Sequence, residues 1–168
     1  GCGMSLATVY KDEPYTYTNG GEVRNWYSGY RGPSTIRQAI QNSMNILAVK
    51  TITDVTPELA YEYLLKLGFT TLVKERTNSS GGIESDINQS LALGGLTDGV
   101  YNYELCSAYA AIANNGVYNK PTLYTKVLDH DGNVLLDGTG ESHQAIKDST
   151  AGLLTSALQT VVEEGTGK

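Results

Sequence analysis

Residues 29 to 49 read Gly29-Tyr-Arg-Gly-Pro-Ser-Thr-Ile-Arg-Gln-Ala-Ile-Gln-Asn-Ser43-Met-Asn45-Ile-Leu-Ala-Val49. Thr35 and Gln38 fit a capping box, in which two side chains satisfy each other's free backbone N–H groups at the start of a helix. Apolar residues then follow at roughly helical spacing, at Ile36, Ala39, Ile40 and Leu47. The segment predicts a helix that begins after Thr35 and runs towards the tripeptide Ser43-Met44-Asn45.

This tripeptide interrupts the helical pattern. Ser43 and Asn45 cannot share one face of an ordinary helix, because neighbours on a helix lie three or four residues apart. If both side chains point at one ligand, the backbone between them must be a turn or extended. The alternative is a continuous helix in which Ser43 caps nothing and Asn45 faces solvent. Ser-x-Asn arises easily by chance, so the tripeptide alone leaves both interpretations open.

Size and charge limit the class of protein. A chain of 168 residues is long enough for one domain with a sizeable core. The net charge of -6 argues against nucleic acid as a partner. Apolar stretches fall short of the roughly 20 residues that span a membrane, and the start does not resemble a signal peptide. We therefore expect a soluble chain. Its twelve tyrosines indicate either a Tyr-rich surface or a Tyr-lined groove.

The rest of the pattern predicts helices separated by turns. Residues 1–33 read as extended segments and turns, and 74–85 as an exposed loop. Thr56, Pro57 and Gly68 suit the cap, first position and end of one helix. The apolar stripe of this helix is expected at Leu59, Ala60, Tyr63, Leu64 and Leu67. Further helices are predicted over 86–93, 102–114 and 148–164, the second with Leu105, Ala108, Tyr109 and Ile112 on one face.

Residues 122–136 change to the alternating period of strands, and Asp131-Gly132 predicts a hairpin between them. The fold class is therefore α+β, mostly helical with one β-hairpin. Because two strands alone are marginally stable, we expect this hairpin to join a larger sheet or to pack against helices. The chain contains no repeat or long linker, and it reads as one partial domain, 1–168, cut at both ends.

No other pattern predicts a complete catalytic or metal site. His130 and His143 lie far apart without cysteines at ligand spacing, and His130 is expected to face solvent. The pairs Asp12-Glu13 and Glu163-Glu164 are expected on the solvated surface. Cys106 is expected to be buried and not to bridge to Cys2. A phosphate loop at 165–168 lacks its required residues, and a Ser-His-Asp triad is unsupported because neither His has a motif context and no Gly-x-Ser-x-Gly is present.

Several segments, in order, resemble the transpeptidase domain of class A penicillin-binding proteins. Thr35 to Asn45 resembles the family's Thr-Leu-Arg-x-Ala-Leu-x-x-Ser-x-Asn signature, and Asn25 to Pro33 resembles the Asn-Tyr-x-Gly-x-Tyr-x-Gly approach to the active site. Further matching segments are 7–15, 91–95, 99–105, 108–118 and 155–167. The helix start Tyr101-Asn102 departs from the more usual Thr-Pro. The resemblance implies the helical part of a serine β-lactamase/DD-peptidase-like transpeptidase domain.

The family's chemistry needs three motifs, and this sequence holds one of them. No lysine has Ser three residues before it, and Lys168 has no Thr-Gly after it, so Ser-x-x-Lys and Lys-Thr-Gly are absent. By family order they belong before residue 1 and after residue 168. The resemblance therefore implies part of a serine-type D-Ala-D-Ala transpeptidase for cell-wall cross-linking, expected to be inactive in isolation.

The resemblance also implies site residues and partners. Ser43 would relay a proton to the leaving nitrogen, and Asn45 would bind the substrate amide. Trp26 and Tyr27 would form the aromatic wall of the donor groove, although ordinary surface packing is an alternative for both. The partners would be peptidoglycan stem peptides and β-lactams, with no cofactor. The parent would be anchored by an N-terminal helix on the extracytoplasmic face of a bacterial membrane.

Two other functions remain possible from the sequence. The first is a non-catalytic penicillin-binding-like module that binds peptidoglycan or a protein partner, and the second is a different serine hydrolase with Ser43 as nucleophile. No base is placed for Ser43 in the second of these. We also expect that exposed apolar helix faces allow self-association.

Overall fold

The computed structural model describes residues 3–168. The first part of this region is extended, as the composition predicts. It contains two antiparallel strand pairs, in which β1 (Val9–Asp12) pairs with β4 (Gly32–Thr35) and β2 (Tyr15–Thr16) pairs with β3 (Glu22–Val23).

The helix predicted from Thr35 is two helices. α1 (Ile36–Gln41) begins at the predicted capping box, where the Thr35 hydroxyl accepts a hydrogen bond from the Gln38 N–H at 3.2 Å. The Gln38 side chain in turn accepts one from the Thr35 N–H at 2.8 Å. The chain then turns at residues 42–44 before α2 (Asn45–Val55). The turn interpretation of the Ser-x-Asn tripeptide is therefore confirmed, and the continuous helix is wrong.

α3 (Pro57–Lys66) has the predicted ends. The Thr56 hydroxyl accepts from the Leu59 N–H at 3.4 Å, and Gly68 has a φ of 88° just after the helix. The predicted apolar stripe is wrong at Tyr63, which is 37% exposed, whereas Tyr61 is buried. The reason is the packing of Tyr61 against Ile52 of α2 and Leu91, which sets the buried face of α3.

The region after α3 is more irregular than predicted. The loop 74–85 is largely exposed, but it contains the short pair β5 (Arg76–Thr77) and β6 (Ile83–Glu84). The helix predicted over 86–93 is a 3-10 helix confined to Gln89–Leu93. Its first residues are held out of a helix because the buried Asp86 carboxylate accepts the backbone N–H groups of Val73 and Thr97, each at 2.7 Å.

α4 (Asn102–Ala113) lies where the sequence predicts it, but it buries a different face. Ala108 and Ala111 are buried, whereas Leu105 and Tyr109 are exposed. Cys106 is exposed, so the prediction of a buried cysteine is wrong, and Cys2 lies outside the described residues. The face is set by residues including Glu104, which is 1% exposed and accepts a 2.6 Å hydrogen bond from the Thr70 hydroxyl.

The C-terminal part contains two strand pairs and a long helix. β7 (Val117–Asn119) pairs with β10 (Ser142–Gln144), and β8 (Lys126–Leu128) pairs with β9 (Val134–Asp137) as the predicted hairpin. All residues of β8 and β9 are exposed, so within the described chain this hairpin joins no larger sheet and no helix covers it. α5 (Asp148–Glu164) is confirmed, and it packs against α1 and α4.

The predicted α+β class is confirmed, with four strand pairs in addition to the predicted hairpin. A buried cluster lies directly beneath the Ser-x-Asn turn and is formed by Val23, Met44, Ile46, Leu47 and Val49. Three of these residues belong to the first turns of α2. The helix that follows the Ser-x-Asn turn is therefore anchored in the buried core. None of the helices in residues 3–168 is long and apolar enough to cross a membrane.

Candidate functional site

The turn between α1 and α2 presents Ser43 to solvent. Ser43 is exposed with a φ of 51°, while the next residue, Met44, is 1% exposed and anchors the turn in the core. The Ser43 N–H donates to the Ile40 carbonyl at 3.2 Å and the Met44 N–H to the Ala39 carbonyl at 2.9 Å. A left-handed φ at a serine is uncommon, and it turns Ser43 out of the helical register.

Three consecutive residues hold this turn from the side. The Arg24 carbonyl accepts from Asn45 Nδ2 at 2.9 Å, and Asn25 Oδ1 accepts from the Ile46 N–H at 3.2 Å. Trp26 Nε1 donates to the carbonyl of residue 42 at 2.9 Å. We call residues 24–26 the clasp. Because its contacts fall on both sides of Ser43, the clasp fixes the turn without using the Ser43 hydroxyl.

The clasp rests on a buried carboxylate. Asp12 is 1% exposed, and it accepts hydrogen bonds from Asn25 Nδ2 at 2.8 Å, the Tyr27 hydroxyl at 2.7 Å and the Arg31 N–H at 2.9 Å. Burial, and then the hydrogen bond to Asp12, raise the pKa of Tyr27 above its usual value. The prediction of a solvated Asp12 is wrong, because three donors replace water around its carboxylate.

The two predicted aromatic residues lie in different environments. Trp26 is 61% exposed and meets the ring of Tyr27 edge to face, with centroids 5.5 Å apart. Tyr27 is partly buried against the core cluster, and the Arg31 guanidinium lies 4.3 Å from its ring centroid. Trp26 therefore has an open ring beside the turn, whereas Tyr27 is held by internal contacts. A role for either in binding stays a prediction.

Ser43, Met44 and Asn45 line one end of an open groove of about 720 Å³. The rest of its lining is mainly apolar and includes Ile36, Ile40, Ala48, Ile52, Leu93 and Tyr109. Among the described residues, none forms a hydrogen bond with the Ser43 hydroxyl, so this hydroxyl is available to a ligand. The same absence means that no described side chain is placed as a base for Ser43.

The end of α5 lies against α1, close to the turn. Arg37 Nη1 donates to the Ser156 carbonyl at 3.0 Å and to Thr160 Oγ1 at 2.9 Å. The Thr166 N–H donates to the Gln41 carbonyl at 3.1 Å. These contacts bring residues 165–167 to the last turn of α1, two residues before Ser43.

The other candidates are not part of this site. His130 is exposed, as predicted. Residues 3–168 contain no cluster of three or more His, Cys, Asp or Glu side chains that could hold a metal ion.

Comparisons with known proteins identify the family of this chain. The family model described as penicillin-binding protein transpeptidase domain matches residues 3–168. The chain belongs to this family. It is 34% identical over 159 residues to penicillin-binding protein 1A/1B of Bacillus subtilis (strain 168), covering 94% of this chain and 16% of that protein.

A second relative is penicillin-binding protein 1A of Streptococcus pneumoniae (strain ATCC BAA-255 / R6), 34% identical over 167 residues, or 98% of this chain and 22% of the relative. Among solved structures, penicillin-binding protein 1A from Haemophilus influenzae superposes with a TM-score of 0.75 at 21% identity, over 99% of this chain and 28% of that chain. PonA1 from Mycobacterium tuberculosis in complex with penicillin V gives 0.77 at 23% identity, covering 95% and 43%. These structures show the same transpeptidase-domain fold. The chain spans less than a quarter of the length of the two sequence relatives.

Sequence reasoning did not identify two residues that support the turn. Asp12 and Asn25 form the link between the buried carboxylate and the first turn of α2. Asn25 lies in the matched segment before Pro33, but its two hydrogen-bond partners are 13 and 21 residues away. Only the backbone path between the strands brings these groups together, so the residue pattern carried no signal for them.

Proposed function

We propose that this chain is the middle part of the transpeptidase domain of a class A penicillin-binding protein, contributing one of three motifs to the active site. The observation that carries the proposal is the Ser43 turn, where the hydroxyl lies at a groove and forms no hydrogen bond with residues 3–168, in a chain of this family. The longer polypeptide would supply Ser-x-x-Lys and Lys-Thr-Gly, and it would work at the extracytoplasmic face of a bacterial membrane.

The reaction is an acyl transfer. The serine of Ser-x-x-Lys attacks the carbonyl carbon of the penultimate D-Ala of a stem peptide, or of a β-lactam, while its lysine takes the hydroxyl proton. Breakage of the C–N bond leaves the electron pair on nitrogen; Ser43 gives its hydroxyl proton to that nitrogen and takes in its place the proton held by the lysine. Asn45 accepts a hydrogen bond from the substrate amide at its Oδ1, which has no partner among residues 3–168, while its Nδ2 donates to the Arg24 carbonyl.

Trp26 is the better supported of the two aromatic residues for substrate contact. Its ring is exposed beside the turn, and its Nε1 is fixed to the carbonyl of residue 42. The Tyr27 hydroxyl donates a hydrogen bond to Asp12, and this internal contact favours the packing interpretation for Tyr27.

The proposal is tested by covalent labelling with a fluorescent penicillin. We expect the longer polypeptide to be labelled and the 168-residue chain not to be, because the nucleophile and its base are lacking from the 168 residues. Labelling of the 168-residue chain at Ser43 would instead favour the separate serine hydrolase.

A substitution tests the role of Ser43 in the longer polypeptide. Ser43→Ala removes the group that passes the proton, so the acylation rate should fall by about 10²–10⁴-fold. Ser79→Ala, in the exposed turn between β5 and β6, is the matched control and should react at the unchanged rate. Equal rates for the two variants would contradict the proton-relay role.

The non-catalytic module is distinguished by the flanking sequence. If an otherwise complete gene lacked Ser-x-x-Lys before this segment and Lys-Thr-Gly after it, the domain would be a binding module. In that case the exposed Ser43 and the partly buried Asn45 would contact peptidoglycan or a protein partner without chemistry.

A further inference from the structure

Asn25 occupies an unusual position between two structural elements. Its side chain donates from Nδ2 to the Asp12 carboxylate at 2.8 Å and accepts at Oδ1 from the Ile46 N–H at 3.2 Å. Only asparagine and glutamine side chains carry a neutral donor and an acceptor on one carbon. The amide therefore transmits the fixed position of a buried carboxylate to the first turn of α2.

α2 needs this contact at its N-terminus. The residue before the helix is Met44, whose side chain cannot cap, and the first turn contains no acidic residue. The first N–H groups of a helix have no partner within the helix and are usually satisfied by a nearby side chain. Asn25 does this from a different part of the chain, and the helix that it caps begins at Asn45.

The orientation of Asp12 is itself fixed. Its Oδ2 accepts from both the Tyr27 hydroxyl and the Arg31 N–H, at 2.7 Å and 2.9 Å, which leaves Oδ1 for Asn25. Asp12 is also part of β1, paired with Gly32 of β4. A rigid chain of hydrogen bonds thus runs from the β1–β4 pair through Asp12 and Asn25 to the Ile46 backbone.

We propose that Asp12 and Asn25 are positioning residues for the transpeptidase reaction, which hold Ser43 and Asn45 in the orientation that the substrate requires. This inference rests on the function proposed above. Neither residue touches the substrate. Both act through the first turn of α2, where a displacement of about 1 Å in a reacting group can reduce the rate by about 10²-fold.

The test uses the longer polypeptide and the acylation rate with a fluorescent penicillin. Asn25→Ala removes both hydrogen bonds of the Asn25 side chain. Asn25→Asp brings two carboxylates into contact, and Asp12→Asn brings two side-chain amides into contact. We expect each to acylate about 10- to 100-fold more slowly than the wild type. Thermal unfolding of every variant shows that it is folded. If a variant is not folded, Asn25→Ser is tested in its place, because the short serine side chain reaches only one of the two hydrogen-bond partners.

The double variant Asp12→Asn/Asn25→Asp distinguishes positioning from general damage. The amide at position 12 then donates to the carboxylate at position 25, whose second oxygen accepts from the Ile46 N–H. The carbonyl oxygen at position 12 still accepts from Tyr27 and Arg31. All four hydrogen bonds are restored, with donor and acceptor exchanged only between positions 12 and 25, so the rate should return to within about 3-fold of the wild type, as a strongly coupled pair requires.

Asn78→Ala is the matched control. Asn78 also donates to a carboxylate, that of Glu84 at 3.3 Å, and accepts backbone N–H groups from Ser80 and Gly82 at 3.0 Å and 2.9 Å. It lies in the loop between β5 and β6, so its loss should leave the acylation rate unchanged. Wild-type rates in the single variants at positions 12 and 25 would overturn the proposal. A folded double variant that acylates as slowly as the single variants would also overturn the proposal.

Amide hydrogen exchange over residues 42–47 keeps this inference separate from the proposed function. Exchange should be faster in the single variants and return to the wild-type rate in the double variant. If the wild-type polypeptide were not labelled by penicillin at all, the proposed function would fail, and the exchange rates alone would decide whether Asp12 and Asn25 hold the turn. Unchanged exchange in the single variants would show that they do not.

Discussion

At the scale of the residue, Ser43 combines a strained backbone with an exposed side chain. Its φ of 51° costs an L-residue about 1–2 kcal/mol, and such strain persists only where the surroundings enforce it. Here the enforcing contacts are the buried Met44 side chain and the hydrogen bonds of the clasp. The conformation is therefore maintained from both sides of the residue.

Two substitutions separate the backbone of Ser43 from its hydroxyl. Ser43→Gly and Ser43→Ala both remove the hydroxyl, and both should slow acylation of the longer polypeptide to the same degree. Glycine tolerates the left-handed conformation, so the glycine variant should be more stable by about 0.5–1 kcal/mol after allowance for the greater entropy of its unfolded chain. Urea unfolding measures the difference, and an alanine variant of equal or higher stability would contradict the enforced turn.

Tyr10 links stability to alkaline pH. Its hydroxyl donates to Asp54 at 2.6 Å, and burial together with this acceptor raises the pKa of Tyr10 to about 12. The unfolded tyrosine ionises near pH 10, so the folded chain retains a proton that the unfolded chain loses. The stabilisation is complete below pH 10 and is lost as the pH rises towards 12.

We expect Tyr10→Phe to weaken this pH dependence. Urea unfolding between pH 9 and pH 11.5 should show a steeper fall in the free energy of unfolding for the wild type than for the variant. Tyr124→Phe, which changes a tyrosine that is 45% exposed, is the control and should keep the wild-type slope. Parallel curves for the wild type and Tyr10→Phe would exclude this contribution.

At the scale of the element, the contact between α5 and α1 depends on a missing side chain. A Cβ on Gly165 would collide with the Gln41 carbonyl and lie 2.9 Å from the backbone of Val161. Gly165→Ala should therefore destabilise the domain by about 1–3 kcal/mol, as overpacking usually does. The same substitution should also slow acylation of the longer polypeptide, because Gln41 lies two residues before Ser43.

Gly152 provides the matched control within the same helix. A Cβ at this position would meet nothing within 4 Å, and glycine is a poor residue for a helix interior. Gly152→Ala should stabilise the domain by about 0.5–1 kcal/mol. Thermal unfolding of both variants tests the pair, and a shift of the same sign in each would contradict the proposed packing.

Local chemistry predicted the helices well because their ends are determined within a few residues. The capping box at Thr35, the Thr56-Pro57 start and the turn at Asp131-Gly132 all act over two to four positions, and each was confirmed. The buried faces of α3 and α4 were partly wrong, since packing partners distant in sequence determine them. Glu104 shows this, because its acceptor role for Thr70 joins positions 34 residues apart.

The candidate site was predictable to the same extent. Departure from helical spacing and the family resemblance together single out Ser43 and Asn45; the turn is confirmed, and the roles of both residues stay predictions. The acidic residue that supports them was missed, because Asp12 next to Glu13 reads as solvated surface until the strands place three donors around it. A buried charge of this kind is identified by its partners, and these are spread over residues 25–31.

At the scale of the whole molecule, the β8–β9 hairpin and α4 are two of the places where apolar surface is exposed. The hairpin β8–β9 exposes leucines on β9, with Leu135 62% and Leu136 53% exposed, and α4 exposes Tyr109 at 57%. Exposed apolar groups in such number favour association. We expect the 168-residue chain to self-associate at micromolar concentrations, with sedimentation velocity as the measurement.

A charged hairpin should reduce this association. Leu135→Lys and Leu136→Lys together place two charges on the exposed strand, a substitution that discourages edge-to-edge pairing. The matched control is Val9→Lys, at an apolar position that is 56% exposed but lies on β1. A monomeric wild-type chain, or equal association of all variants, would show that the hairpin is not the contact.

The two supports of the Ser43 turn differ in how far apart their partners lie along the chain. The clasp joins residues 16 to 21 positions apart, whereas Arg37 meets α5 across 119 positions. Short loops close faster and at lower entropic cost than long ones, and a chain leaves the ribosome from its N-terminus. During synthesis the hydrogen bonds of the clasp can thus form before α5 has been made. The docking of α5 onto α1 then adds the second support of the Ser43 turn.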